Sequence, residues 1–134
     1  MIHRDIKPAN IWLESGRPRI KILDFGLVRV ADAAPARKET GFIAGTTNYL
    51  SPEQSRGEPL DARTDLFSLG CVLYQMATGQ QPFVRPNMLG ILQSIQTIDP
   101  PAPTEWNQDI PTSLSELIRC LLVKSREGRP ETAQ

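Results

Sequence analysis

The chain has 134 residues, fifteen basic and fifteen acidic side chains that cancel, and 40% hydrophobic residues. That length allows one compact domain, and its 34 Leu, Ile, Val and Phe residues exclude disorder as the main state. The balanced charge offers no field for a polyanion, so nucleic acid is not an expected partner. Residues 1–30 carry six basic against three acidic side chains, a surplus that suits an anionic ligand but that chance asymmetry explains equally well.

The first thirty residues read as loop, strand, turn, strand. Ile11-Trp12-Leu13 is a short apolar run, Glu14-Ser15-Gly16-Arg17-Pro18 has turn chemistry, and Arg19-Ile20-Lys21-Ile22-Leu23 alternates with period two. A hairpin over about 11–23 is expected. From Val30 to about Pro59 no period is visible, and a stretch this long without structure is usually functional or disordered. Residues 64–78 are apolar nearly all round and predict a helix buried on every side, stopped by Gly79. Met88, Leu89, Ile91, Leu92 and Ile95 predict a second helix over about 87–97 with a core-facing stripe. Pro100, Pro101, Pro103 and Pro111 mark an extended loop. Ser113 followed by Glu116 suggests a capping box for a helix over about 113–123. The fold expected is mainly α.

Cys71 and Cys120 cannot make a disulfide framework, and no His/Cys spacing suggests a metal site. Both sit in apolar helical patterns and are expected as buried free thiols. No signal peptide precedes His3. The longest uncharged stretch, residues 66–84, is interrupted by polar residues and too short in its apolar part to cross a bilayer. A chain without a membrane segment, in the reducing cytoplasm, is the expectation.

Chemistry concentrates in residues 3–10, His-Arg-Asp-Ile-Lys-Pro-Ala-Asn, which set a carboxylate, an amine and an amide on one short loop. An aspartate that accepts a hydroxyl proton needs a nearby cation to orient the transferring phosphoryl, and an amide oxygen to hold Mg²⁺. Asp24-Phe25-Gly26, after the hairpin, returns a second oxygen ligand beside Asn10. Either motif alone would be chance in many proteins, and an Asp-Asn loop can be merely a turn.

Together and in this order they resemble the eukaryotic-type (Hanks-type) Ser/Thr protein kinases, in a bacterial-like version. His3-Arg4-Asp5 with Asn10 resembles the catalytic loop, and Asp24-Phe25-Gly26 the magnesium-binding motif that opens the activation segment. Residues 45–53, Gly-Thr-Thr-Asn-Tyr-Leu-Ser-Pro-Glu, resemble the end of that segment, with Ser51 where the family usually has Ala. Residues 65–70, from Asp65, resemble the start of the central helix of the large lobe. Arg129 resembles the late arginine that pairs with the glutamate at the Glu53 position.

The resemblance implies ATP and Mg²⁺ as cofactors and protein Ser/Thr hydroxyls as acceptors. Asp5 would orient the hydroxyl and accept its proton, Lys7 would contact the γ-phosphate, and Asn10 and Asp24 would hold two Mg²⁺ ions. Thr46 would bond toward Asp5 and Lys7. Arg4 would answer a phosphate on the activation segment, with Thr40 the leading acceptor and Thr46 and Thr47 behind it. His3, Phe25, Gly26, Glu53, Asp65 and Arg129 would be structural supports, Asp65 both capping its helix and binding the catalytic-loop backbone.

No glycine-rich phosphate lid occurs among the 134 residues, so residues 1–134 are expected to be a partial kinase domain, the large lobe without small lobe or hinge. The isolated chain would then be inactive. The alternative is a kinase-like docking or binding module without catalysis. A small-molecule phosphotransferase is the third possibility, disfavoured by Lys7 and residues 46–53.

Overall fold

The computed structural model describes residues 2–23 and 47–132. The hairpin forms from Ile11–Leu13 (β1) and Ile20–Ile22 (β2), antiparallel, with Trp12 opposite Lys21 and Leu13 opposite Ile20. Gly16 supplies the left-handed turn residue at φ 77°, and Glu14 N–H closes the turn on the Arg19 carbonyl at 3.0 Å. Trp12, Leu13, Ile20 and Ile22 stay exposed, and the hairpin touches the helical core only through the partly buried Ile11.

Among the described residues five α-helices follow: Pro52–Arg56 (α1), Arg63–Thr78 (α2), Met88–Thr97 (α3), Pro103–Trp106 (α4) and Thr112–Leu121 (α5). Helix α1 is short but strongly marked at both ends. Ser51 and Gln54 exchange a capping box, Pro52 occupies its first turn, and Gly57 ends it in the left-handed conformation. Helix α2 is the axis of the domain. Phe67, Cys71, Val72 and Tyr74 pack with Phe83, Ile95, Ile118 and Leu122 in the core. Burial pushes the Cys71 thiol up to about 12. No helix of the described residues is long and apolar enough to cross a membrane.

Mainly helical architecture with one small hairpin matches the expectation, and several details differ. Helix α2 is not buried on every side, since Met76 is 72% exposed. On α3 Ile95 lies in the core with Ile91 and Leu92 packed against it, while Met88 and Leu89 face outward. Helix α5 begins one residue early with Pro111 at its cap. Ser113 is therefore already inside the helix, and Ser113 and Glu116 form no capping box. The proline-marked loop contains α4. Part of the aperiodic stretch is ordered as a 3₁₀ turn at Thr47–Tyr49 followed by α1. Cys120 is exposed, because it sits beside Arg119 on the outer face of α5.

Gly70 shows how closely α2 meets α5. A Cβ there would lie 2.9 Å from Leu121 Cβ and 3.1 Å from Leu122 Cδ2. Glycine to alanine inside a helix ordinarily gains about 1 kcal/mol. Here overpacking dominates, and Gly70→Ala is expected to lower stability by roughly 1–3 kcal/mol, read as an earlier urea midpoint. A later midpoint would show that the two helices separate freely.

Candidate active site

Residues 3–10 form a loop that closes on itself. Pro8–Asn10 is a 3₁₀ turn with proline at its first position, and Asn10 N–H bonds the Lys7 carbonyl at 3.0 Å. The turn carries Asn10 back over Asp5. Asn10 Nδ2 donates to the Asp5 carbonyl at 2.8 Å and to Asp5 Oδ2 at 3.0 Å. Lys7 Nζ lies 2.7 Å from the same carboxylate oxygen. One oxygen of Asp5 is thus held by a cation and an amide. The other, Oδ1, takes no hydrogen bond from the described residues.

The hairpin is tied to this loop at its far end. Leu23 N–H donates to the Asn10 carbonyl at 2.7 Å, and His3 Nε2 is 3.2 Å from the Leu23 carbonyl. Asp24, Phe25, Gly26, Thr40 and Thr46 lie outside the described residues.

Backbone geometry at Arg4 is unusual. Its φ is 70°, the only left-handed non-glycine residue among those described. For an L-residue with a Cβ this conformation costs about 1–2 kcal/mol. Asp65 holds it in place, its two oxygens accepting His3 N–H at 2.7 Å and Arg4 N–H at 2.8 Å. Both carboxylate oxygens are committed to the loop, and Asp65 does not cap α2. The cap position is Ala62, and Asp61 Oδ1 accepts the Arg63 N–H at 2.8 Å. From the other side, Gln54 Nε2 donates to the Arg4 carbonyl at 2.9 Å. Arg4 Nε is buried without a hydrogen-bond partner, and among the described residues no carboxylate pairs with this guanidinium.

Beneath α1 lies a buried ion pair. Arg129 Nη1 and Nη2 donate to Glu53 Oε1 and Oε2 at 2.8 and 2.9 Å. The remaining donors reach the carbonyls of Val123, Arg63 and Lys124, so all five guanidinium N–H groups are used. Thr64 Oγ1 adds a bond to Glu53 Oε1 at 2.9 Å, and the guanidinium lies over the Phe67 ring at 5.0 Å. Burial alone would raise the Glu53 pKa. The Arg129 hydrogen bonds and charge, with the Glu53 backbone and Thr64 hydroxyl bonds, bring it to about 2 instead.

The structure therefore brings Asp5, Lys7 and Asn10 together, seats His3, Arg4 and Asp65 directly behind them, and sets Glu53 with Arg129 under α1. Thr47 is 1% exposed, which disfavours it as a phosphate acceptor, since a kinase must reach the hydroxyl. Two residues with structural work to do, Gln54 and Thr64, escaped the sequence reading. For Gln54 a signal existed, the Ser51…Gln54 capping-box spacing. For Thr64 there was none.

Comparison with known proteins addresses family and fold. The family model described as protein kinase domain matches residues 1–134. The chain is 40% identical over 134 residues to the serine/threonine-protein kinase PknB of Mycolicibacterium smegmatis, covering 99% of this chain and 21% of that protein. It is 40% identical over 142 residues to the serine/threonine-protein kinase pkn3 of Myxococcus xanthus, covering all of this chain and 26% of the relative. The chain thus spans about a fifth to a quarter of these relatives. Among solved structures, the twitchin kinase region from C. elegans superposes with a TM-score of 0.80 at 28% identity, over 96% of this chain and 22% of that one. The chain belongs to the protein kinase family, and within it to the eukaryotic-like, Hanks-type Ser/Thr kinases of bacteria.

Proposed function

We propose that these residues form the large-lobe part of a Ser/Thr protein kinase domain that transfers the γ-phosphate of ATP to protein hydroxyls, as residues 1–134 of a larger domain. The observation that carries this is the single Asp5 carboxylate oxygen held by Lys7 at 2.7 Å and Asn10 at 3.0 Å. That arrangement leaves Oδ1 available to a hydroxyl. Asp5 orients the acceptor hydroxyl and takes its proton at Oδ1 late in transfer. Lys7 carries the positive charge that a γ-phosphate needs beside the acceptor.

The donors suit Mg²⁺. Asn10 commits its Nδ2 to Asp5, which leaves Oδ1, a hard oxygen with no hydrogen bond among the described residues, as the donor this amide can offer. Asn10 and Asp24 would hold the metal, which when bound neutralises phosphate charge. Arg4, with its unpartnered buried Nε, would receive a phosphate on Thr40. Cys71 and Cys120, both free, suit a reducing cytoplasm.

The test is phosphoryl transfer by the whole protein from radiolabelled ATP to a Ser/Thr protein substrate. Transfer that disappears on chelating Mg²⁺, from a protein whose phosphopeptides include Thr40, is the expected result. Stable binding of protein substrate with no transfer would replace it by the docking module, a reading favoured by the exposed Val84, Met88 and Leu89.

A further inference from the structure

Gln54 sits outside the loop that carries Asp5, Lys7 and Asn10, yet both ends of its amide are in use. Its Oε1 accepts the Ser51 N–H at 2.9 Å, and its backbone N–H donates to Ser51 Oγ at 3.2 Å, which closes the α1 capping box. Its Nε2 crosses to the Arg4 carbonyl at 2.9 Å, fifty positions away in the chain. A capping box needs only the acceptor, and glutamate fills that role as well as glutamine. The donor is surplus to the cap.

The bond it makes is placed on the peptide that sets the direction of Asp5. That peptide links Arg4, left-handed at φ 70°, to Asp5, whose own N–H faces His3 Nδ1 at 3.4 Å. The long His3 contact is a weak restraint, whereas the Gln54 bond has good length. Asp65 holds only the preceding N–H groups, so it restrains the peptide before Arg4 and leaves the one after it to Gln54. A flip of the Arg4–Asp5 peptide would turn the Asp5 carboxylate away from Lys7 Nζ and Asn10 Nδ2.

We propose that Gln54 is a positioning residue that locks the Arg4–Asp5 peptide, and so couples the capped start of α1 to the orientation of the Asp5 carboxylate. It acts through Arg4 and Asp5, and the proposal rests on the kinase reading for its effect on rate. The consequence is a mechanical link from the end of the activation segment to the reacting group, carried by one side-chain amide.

Gln54→Glu in the whole protein separates this role from capping, because it keeps the acceptor for Ser51 and replaces the donor with an oxygen facing the Arg4 carbonyl. The expected result is amide hydrogen exchange at least tenfold faster in the peptide covering residues 2–8, with residues 51–57 protected as in wild type. Steady-state kinetics should show kcat down about tenfold with KM for ATP unchanged, since the hydrogen bonds of Gln54 go to Ser51 and Arg4 and to neither Lys7 nor Asn10. Gln54→Met, which loses acceptor and donor together, should loosen both segments. Wild-type exchange at residues 2–8 in both variants would overturn the proposal. A wild-type protein without transferase activity would sink the kinase reading instead, and the exchange measurement would still decide whether Gln54 holds the loop.

Discussion

Replacing Arg129 by Met is expected to destabilise the fold by about 3–5 kcal/mol, the usual loss when one partner of a buried ion pair is removed. The variant leaves the Glu53 carboxylate 1% exposed, with Thr64 as its remaining side-chain donor. It also leaves the carbonyls of Arg63, Val123 and Lys124 without the guanidinium donors they now have. Urea unfolding at pH 7 checks it, and a loss below about 1 kcal/mol, the range of exposed pairs, would show that water reaches the pair. Acid adds a second signature. Glu53 is held at about 2, below its ordinary 4.5, so its contribution is fully present above 4.5 and is lost as pH falls through 2. That contribution is about 3 kcal/mol. Without Arg129, burial favours the neutral acid, so the gap between wild type and variant should narrow steadily from pH 5 to pH 2.5. A gap independent of pH would remove Glu53 as its cause.

Asp5→Asn is expected to reduce kcat by roughly 10²–10⁴, the range for losing a positioned general base, while KM for ATP and the urea midpoint change little. On the proposed kinase reading the substitution removes the proton acceptor from the loop. It also sets an amide against Lys7 Nζ and Asn10 Nδ2, both donors, so its carbonyl oxygen must turn toward them and its NH₂ toward the acceptor hydroxyl. A donor then faces a donor at the place where the hydroxyl proton leaves. Retention of more than a tenth of the wild-type kcat would mean that Asp5 orients the acceptor without taking its proton.

Much of the fold was legible because its elements carry long apolar patterns. The hairpin over residues 11–23 follows from an apolar run, a turn and a period of two, and the helix over residues 64–78 from its nearly continuous apolar surface and the Gly79 stop. Periodicity names which positions are apolar, but not which neighbour covers them, so Met76, Met88 and Leu89 were placed in a core they do not reach. Five residues are too few for any period, so α1 could be found only from its cap, Ser51 with Gln54. At the candidate site, Asp5, Lys7 and Asn10 were readable since they share one loop. The Gln54 bond to Arg4 was not, because it joins residues fifty positions apart and serves a strained backbone that leaves no mark in the sequence.

The pairings that hold the loop are long-range in the chain, and this bears on how the protein is made. His3 and Arg4 leave the ribosome before Asp65, which follows 62 and 61 residues later, about 3–12 s at ordinary synthesis rates. Glu53 must wait 76 residues for Arg129. A nascent chain therefore carries an unclosed acidic group and a loose loop while the residues between these partners are being made. The stretch around Arg129 completes the seat of α1, so competence waits on residues made long after the loop itself.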